Sequence, residues 1–202
     1  MKKVKGKKFS EVCAKSRNKK DCNAEYRNLV RKFGCCNGKH LVLDSKFKNT
    51  IKTLNYAKIP TKNIYVPNPY EKINTPNWID KSVGDFLLDN CYAGIPRLVF
   101  SSVYLDYCCS LRGNEDTSPI DDIKTLINNK MIDGILGVEI SARDPEKNKK
   151  IGRRRENIRS WEDIGKLIFE IENLAIENDY IYQVINIWTY KQMAVIWVYL
   201  KK

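Results

Sequence analysis

Residues 37–71, NGKHLVLDSKFKNTIKTLNYAKIPTKNIYVPNPYE, constrain the fold more than any other stretch of the chain. HLVLD is a short apolar run after a turn-type Asn-Gly, which predicts a strand. KFKNTIKTLNYAK places Phe47, Ile51, Leu54 and Ala57 on one face of a helix. Ile59-Pro60 ends that helix, because the proline ring crowds α backbone in the residue before it. NIYVPNPYE is a second strand, stopped by Pro67 and Pro69. Strand, helix and strand joined by connections this short make a βαβ unit, and such a unit calls for a parallel sheet.

The rest of the chain extends the alternation. CNAEYRNLVRKFG (22–34) sets Tyr26, Leu29, Val30 and Phe33 at helical spacing before a glycine stop. Residues 71–81 read as a polar loop around Trp78, and SVGDFLLDNCYAG (82–94) reads either as a helix or as a strand with a turn. RLVFSSVYLDYCC contains a strand. SPIDDIKTLINNKM (118–131) opens like a capped helix, with Ser118 as cap, Pro119 at the first position and acids in the first turn. IDGILGVEIS is the next strand. SWEDIGKLIFEIENLAIEND (160–179) is the clearest helix, with a Ser160–Asp163 cap and an apolar side of Ile164, Leu167, Ile168, Ile171, Leu174 and Ala175. The tail YIYQVINIWTYKQMAVIWVYLKK reads as two strands whose short connection makes them antiparallel neighbours. Its aromatics, Tyr182, Trp188, Trp197 and Tyr199, are expected in the core, and Tyr190 in the turn is expected to be exposed. The fold expected is a single α/β domain over 21–202, a three-layer sandwich with a mostly parallel sheet and a C-terminal antiparallel hairpin.

Charge is distributed unevenly. Residues 1–39 carry a net +10 and residues 147–159 (KNKKIGRRRENIR) a net +6, out of +12 for the chain, so the remainder is mildly acidic. Two basic attachments on an acidic body suit a domain that docks on a polyanion. A flexible arm over 1–20, with Lys7 and Lys8, and a basic loop over 142–159, with Arg143, Arg153, Arg154 and Arg155, are the candidate phosphate contacts. They would attract the backbone in a salt-dependent way without reading sequence.

No run of about 18 apolar residues offers a membrane span, and the basic start MKKVKGKKF is not followed by the apolar core of a secretory signal. Seven cysteines with a single histidine, His40, and no metal-knuckle spacing read as reduced structural thiols in an intracellular compartment, cytoplasmic or nuclear, with no metal. The absence of G-x-x-x-x-G-K-[ST] argues against P-loop ATP hydrolysis.

Alternating strands and helices closed by an antiparallel hairpin resemble the class I S-adenosylmethionine-dependent methyltransferases over about residues 38–200. The resemblance implies a seven-stranded sheet whose last strand inserts antiparallel, with S-adenosylmethionine as cofactor. The family's glycine-rich turn after the first strand is replaced here by LDSKFKNT, with Asp44 and Ser45 at the strand end. After the second strand, Asn68 stands near the ribose position, with Glu71 a little late. Gly84-Asp85 resembles the pair beside the adenine. VYLDYCCS falls where base-modifying members carry an aspartate-led aromatic motif, without their prolines, which makes Asp106 and Tyr107 the candidate catalytic pair. In an open parallel sheet ligands bind outside the carboxyl ends of the strands. There Asp106 would accept from an ammonium or an exocyclic amine, and Tyr107 would stack on a base or on the cofactor ring. Glu139, a lone charge inside an apolar strand, is either a gateway residue or solvent-facing at an edge. The expected function is a methyltransferase acting on DNA or RNA, with nucleic acid and a protein subunit as the expected partners. The alternatives are a module of the same fold that has lost the cofactor, and another Rossmann-like enzyme with a nucleotide or phosphorylated substrate.

Overall fold

The computed structural model describes residues 17–107, 111, 118–141, 153–190 and 193–202, with side chains 153–161 and Trp188 left aside. Helices α1 (Arg17–Lys32), α2 (Asn49–Tyr56), α3 (Val83–Asp89), α4 (Pro119–Asn128) and α5 (Arg153–Glu177) alternate with strands β1 (Lys39–Val42), β2 (Ile64–Pro67), β3 (Trp78–Ile79), β6 (Phe100–Asp106), β7 (Ile132–Ser141), β8 (Ile181–Tyr190) and β9 (Met193–Lys201). A small hairpin of β4 (Cys91–Tyr92) and β5 (Ile95–Pro96) lies apart from the main sheet. The seven-stranded sheet runs β3-β2-β1-β6-β7-β9-β8. Its strands pair in parallel from β3 through β7, and β9 inserts antiparallel between β7 and β8. This is the plan that the resemblance implied.

Both sheet faces are covered, so the central strands are buried almost throughout. The period of two sorts their side chains. Phe100, Val103 and Leu105 of β6 and Leu136, Val138 and Ile140 of β7 meet α3, α4 and α5 in one core. Tyr104, Ile135, Val195 and Trp197 meet α1 and α2 in the other. Trp197 is fully buried and stacks on Tyr26 of α1, ring centroids 5.6 Å apart and planes 12° apart. It can lie flat because β7 carries Gly137 opposite it, where a Cβ would stand 2.0 Å from the indole Cζ3.

Four local expectations change. Helix α1 begins at Arg17, so the last four residues of the expected arm are helical, while Lys7, Lys8 and the rest of 1–16 lie outside the described residues. Helix α5 begins at Arg153 rather than Ser160. Arg153, Arg154 and Arg155 therefore sit on a helix and not in a loop, and Ser160–Asp163 is helix interior; Arg143 lies outside the described residues. The polar loop around Trp78 contains β3, which pairs with β2. The ambiguous segment 82–94 is helix α3, capped by Ser82 accepting from the Asp85 N–H, followed by β4. No described helix is long and apolar enough to cross a membrane.

His40, the only histidine, is fully buried. Its Nδ1 lies 2.6 Å from Ser102 Oγ, which also bonds the Tyr26 hydroxyl at 2.6 Å, and its Nε2 has no partner among the described residues. Burial holds the imidazole down to about 4. The unfolded chain binds that proton from near pH 6.5, so His40's contribution is full above 6.5 and is lost as pH falls toward 4. Urea unfolding of wild type and His40→Gln at pH 7 and pH 4.5 should show the wild type losing up to ~3 kcal/mol more than the variant. Parallel losses would mean the ring is protonated in the fold.

Candidate functional site

Every β-to-α connection of the parallel part leaves the sheet at one rim, the carboxyl ends of the strands. The N-termini of α2, α3 and α4 therefore gather there. Helix α1 precedes β1, so its N-terminus reaches the same rim. Helix α5 follows β7 and leads into β8, which runs parallel to β7, so its Arg153 end also faces the rim side. From β1 the chain winds outward to β2 and β3, then crosses back to β6 and β7 on the other side. The gap between the ends of β1 and β6 is thus the topological switch point, where open α/β sheets bind ligands. Asp44 follows β1 and Asp106 ends β6, one on each side of that gap.

At its centre is a buried ionic cluster that the sequence did not announce. Asp106 and Glu139 are register partners on β6 and β7. Lys19, in the first turn of α1, lays its Nζ against Asp106, 2.7 Å from Glu139 Oε2 and 3.3 Å from the Tyr104 hydroxyl. The ammonium is also 5.1 Å from the centroid of the Tyr104 ring. Tyr104 and Tyr190 both donate their hydroxyls to Glu139. Glu139 is 1% exposed, which settles its alternatives: it is an interior charge of a central strand and not an edge residue. Tyr190 is not the exposed turn aromatic that was expected, because β8 carries it into this cluster. The exposed tyrosines are Tyr56, Tyr70 and Tyr92.

The cluster's electrostatics follow from two carboxylates and one ammonium in a dry setting. Burial drives the Asp106 carboxyl up to about 7; the Glu139 charge adds to this and the Lys19 ammonium opposes it. Burial also pushes Glu139 upward, but Lys19 and the two tyrosine hydroxyls override it and hold that carboxyl below its usual range. Glu139 thus keeps the charge and Asp106 is the member that exchanges a proton near neutrality. Lys19 pays desolvation, which lowers its pKa, yet Asp106 and Glu139 hold it above the usual lysine value. Burial and the Glu139 charge raise the neighbouring Cys22 thiol to about 12, so it stays protonated.

The assigned cofactor residues fall in two other places. Asp44 accepts the N–H groups of Ser45 (2.8 Å) and Ile51 (2.9 Å), so its carboxylate covers the start of α2. Ser45 Oγ accepts the Phe47 N–H at 3.3 Å. Lys48, at φ 53°, makes the left-handed turn that a glycine would make more readily. Asn68 donates to the Asp44 carbonyl at 3.0 Å and accepts from the N–H groups of Tyr70 and Glu71, while Glu71 Oε2 accepts the Lys46 N–H at 3.1 Å. The turns after β1 and β2 are thereby stitched to each other. Asp85 is exposed in the first turn of α3, where its carboxylate accepts the Ser82 hydroxyl at 2.7 Å; it lies on the far side of the sheet, where its charge acts on Asp122.

Tyr107 is 3% exposed and donates its hydroxyl to Asp122 at 2.6 Å. Burial raises the Asp122 carboxyl to about 6, against the lowering effect of that bond. Asp106 and Tyr107 are adjacent on an extended strand and project to opposite faces, so the fold does not bring them together. Tyr107 is core on the α3–α4 face, closed to stacking on a base. Of the residues expected at the site, the structure unites Asp106 with the region of Asp44 and adds Lys19, Tyr104, Glu139 and Tyr190. Glu139 was the one detectable signal: a charge buried in an apolar strand requires a cation.

Solved structures share this architecture. An S-adenosylmethionine-dependent methyltransferase from Clostridium acetobutylicum aligns at 12% identity and TM-score 0.53, over 97% of this chain and 99% of that one. A protein from Haemophilus influenzae provisionally named a methylase aligns at 12% and 0.52, over 91% and 99%. One from Lactococcus lactis provisionally named a hemolysin aligns at 13% and 0.57, over 93% and 88%. No protein-family model and no curated protein sequence matches the chain. The fold is that of the class I methyltransferases, an α/β three-layer sandwich.

Proposed function

We propose that this chain is an S-adenosylmethionine-dependent methyltransferase acting on nucleic acid. The observation that carries the reading is the acidic switch point: Asp44 and Asp106 flank the gap between β1 and β6, with Glu139 behind them. Carboxylates suit a cation, so the donor set fits the cationic, sulfonium-and-ammonium end of the cofactor. It offers the ribose no unengaged carboxylate, because Asn68 bonds backbone and Glu71 bonds both the N–H and the ammonium of Lys46. When bound, the cofactor supplies an electrophilic methyl group. The chain's own part is positioning and charge. Asp106, titrating near 7 and partly open, accepts the hydrogen bond of an amine acceptor and can take its proton. Glu139, held by Tyr104 and Tyr190, keeps the interior charge fixed. The Arg153 end of α5, on the rim side, offers cations to phosphates.

A second reading rests on a specific observation. Asp44 fills the start of α2 with its own carboxylate, and no glycine turn is left to admit the cofactor. A nucleic-acid-binding or partner subunit that retains the fold without cofactor would look like this. Calorimetry of the purified chain with S-adenosylmethionine and S-adenosylhomocysteine separates the two. Saturable binding is the expected result, and no heat up to millimolar cofactor hands the function to the second reading.

The nucleic-acid part is tested by anisotropy titrations across a salt series. Neutralising Arg153, Arg154 and Arg155 together should make the slope of log K against log salt shallower by about 2–3, if each meets one phosphate. An unchanged slope removes these residues from the interface. Deletion of the arm should stop at residue 16, because removing Lys19 would disturb the buried cluster.

A further inference from the structure

Lys19 is the lysine that folding buries among the described residues. Its place in the helix is unusual for such a role. It lies in the first turn of α1, where backbone N–H groups have no intrahelical acceptor and a helix frays most easily. The next side-chain ties of α1 are Cys22 to Tyr190, Asn23 to Thr50 at 3.2 Å, and Tyr26 to Ser102 at 2.6 Å. The Lys19 head group is a single positive charge set against Asp106, Glu139 and the Tyr104 hydroxyl. One ammonium thus faces two carboxylates. Asp106 keeps 21% of its side chain open to solvent, so the cluster can be approached from outside.

We propose that Lys19 is a resident cation, and that the place its ammonium fills is a binding site for an onium ligand, a sulfonium or a substituted ammonium, which replaces it. Entry of the ligand breaks the ties between the first turn of α1 and strands β6 and β7. That turn then releases. Only the choice of sulfonium rests on the proposed function; the site itself rests on the ammonium and the two carboxylates that hold it.

Tetramethylammonium chloride is the probe, compared with sodium chloride at equal ionic strength. In the wild-type chain, amide hydrogen exchange over residues 17–20 should accelerate about tenfold in tetramethylammonium, with α4 unchanged. Equal rates in the two salts overturn the proposal. In Lys19→Met the turn is already untied, so the probe should leave its exchange unchanged and instead raise the Tm by several degrees more than sodium does. Should that variant not fold, the wild-type exchange experiment decides alone. S-adenosylmethionine titrations distinguish the two readings. Equal affinity for wild type and Lys19→Met keeps the cofactor and removes the resident cation. Release of the turn by tetramethylammonium, with no cofactor binding to either protein, keeps the resident cation and removes the cofactor.

Discussion

Replacing Lys19 with methionine should lower the unfolding free energy by ~3–5 kcal/mol at pH 7, the range for stripping one partner from a buried ion pair. Methionine matches the lysine stem in length, so the loss reports the charge and not the packing. The penalty should shrink as pH falls toward 5. Protonating Asp106 leaves one interior carboxylate where there were two, and this favours the folded variant. The triple variant Lys19→Met/Asp106→Asn/Glu139→Gln, in which no charge is stranded, should recover most of the loss, since these neighbouring effects do not add. Urea unfolding at two pH values reads all three proteins. A Lys19→Met protein as stable as wild type at pH 7 would mean that the cluster is hydrated, and the cation site would lose its basis.

Trp197→Ala is the second large effect, at ~3–5 kcal/mol for deleting a fully buried tryptophan. Its consequences should be lopsided. The indole supports Tyr26 of α1 by stacking and meets Tyr104 at a centroid distance of 4.9 Å, so its loss loosens the helix that presents Lys19 and the tyrosine whose hydroxyl meets the ammonium. Hydrogen exchange should therefore quicken in α1 more than in α4, which packs on the other face. Gly137→Ala acts at the same contact from below. Its added carbon has no room under the ring, and overpacking of this kind costs about 1–3 kcal/mol. Uniform loss of protection in α1 and α4 would show that the two cores do not respond separately and that Trp197 has no special hold on the Lys19 helix.

The candidate site was half legible in advance. Asp44 and Asp106 stood out because each ends an apolar run, and a polar residue there reaches the rim in any parallel sheet. Asp106 and Tyr107 were expected to act together, yet neighbours on a strand face opposite ways, and Tyr107 is buried against Asp122. Asn68 and Asp85 were placed by resemblance, and the fold puts both to local use, one stitching two turns and one bonding the Ser82 cap of α3. Tyr190 was misplaced because the hairpin turn was read two residues too early. Strand β8 runs through Tyr190 and delivers its hydroxyl to Glu139.

By itself the sequence determined the alternation of strands and helices, their apolar faces and the antiparallel ending. These depend on side-chain period, proline and glycine punctuation and connection length, all of which act between residues near in the chain. Only the tertiary structure decided which of the many lysines would be buried. Lys19 is 120 residues from Glu139, and nothing local distinguishes it from Lys15 or Lys20. A buried carboxylate demands a cation, but the sheet order and the seat of α1 choose which one arrives, and that choice is made by long-range packing.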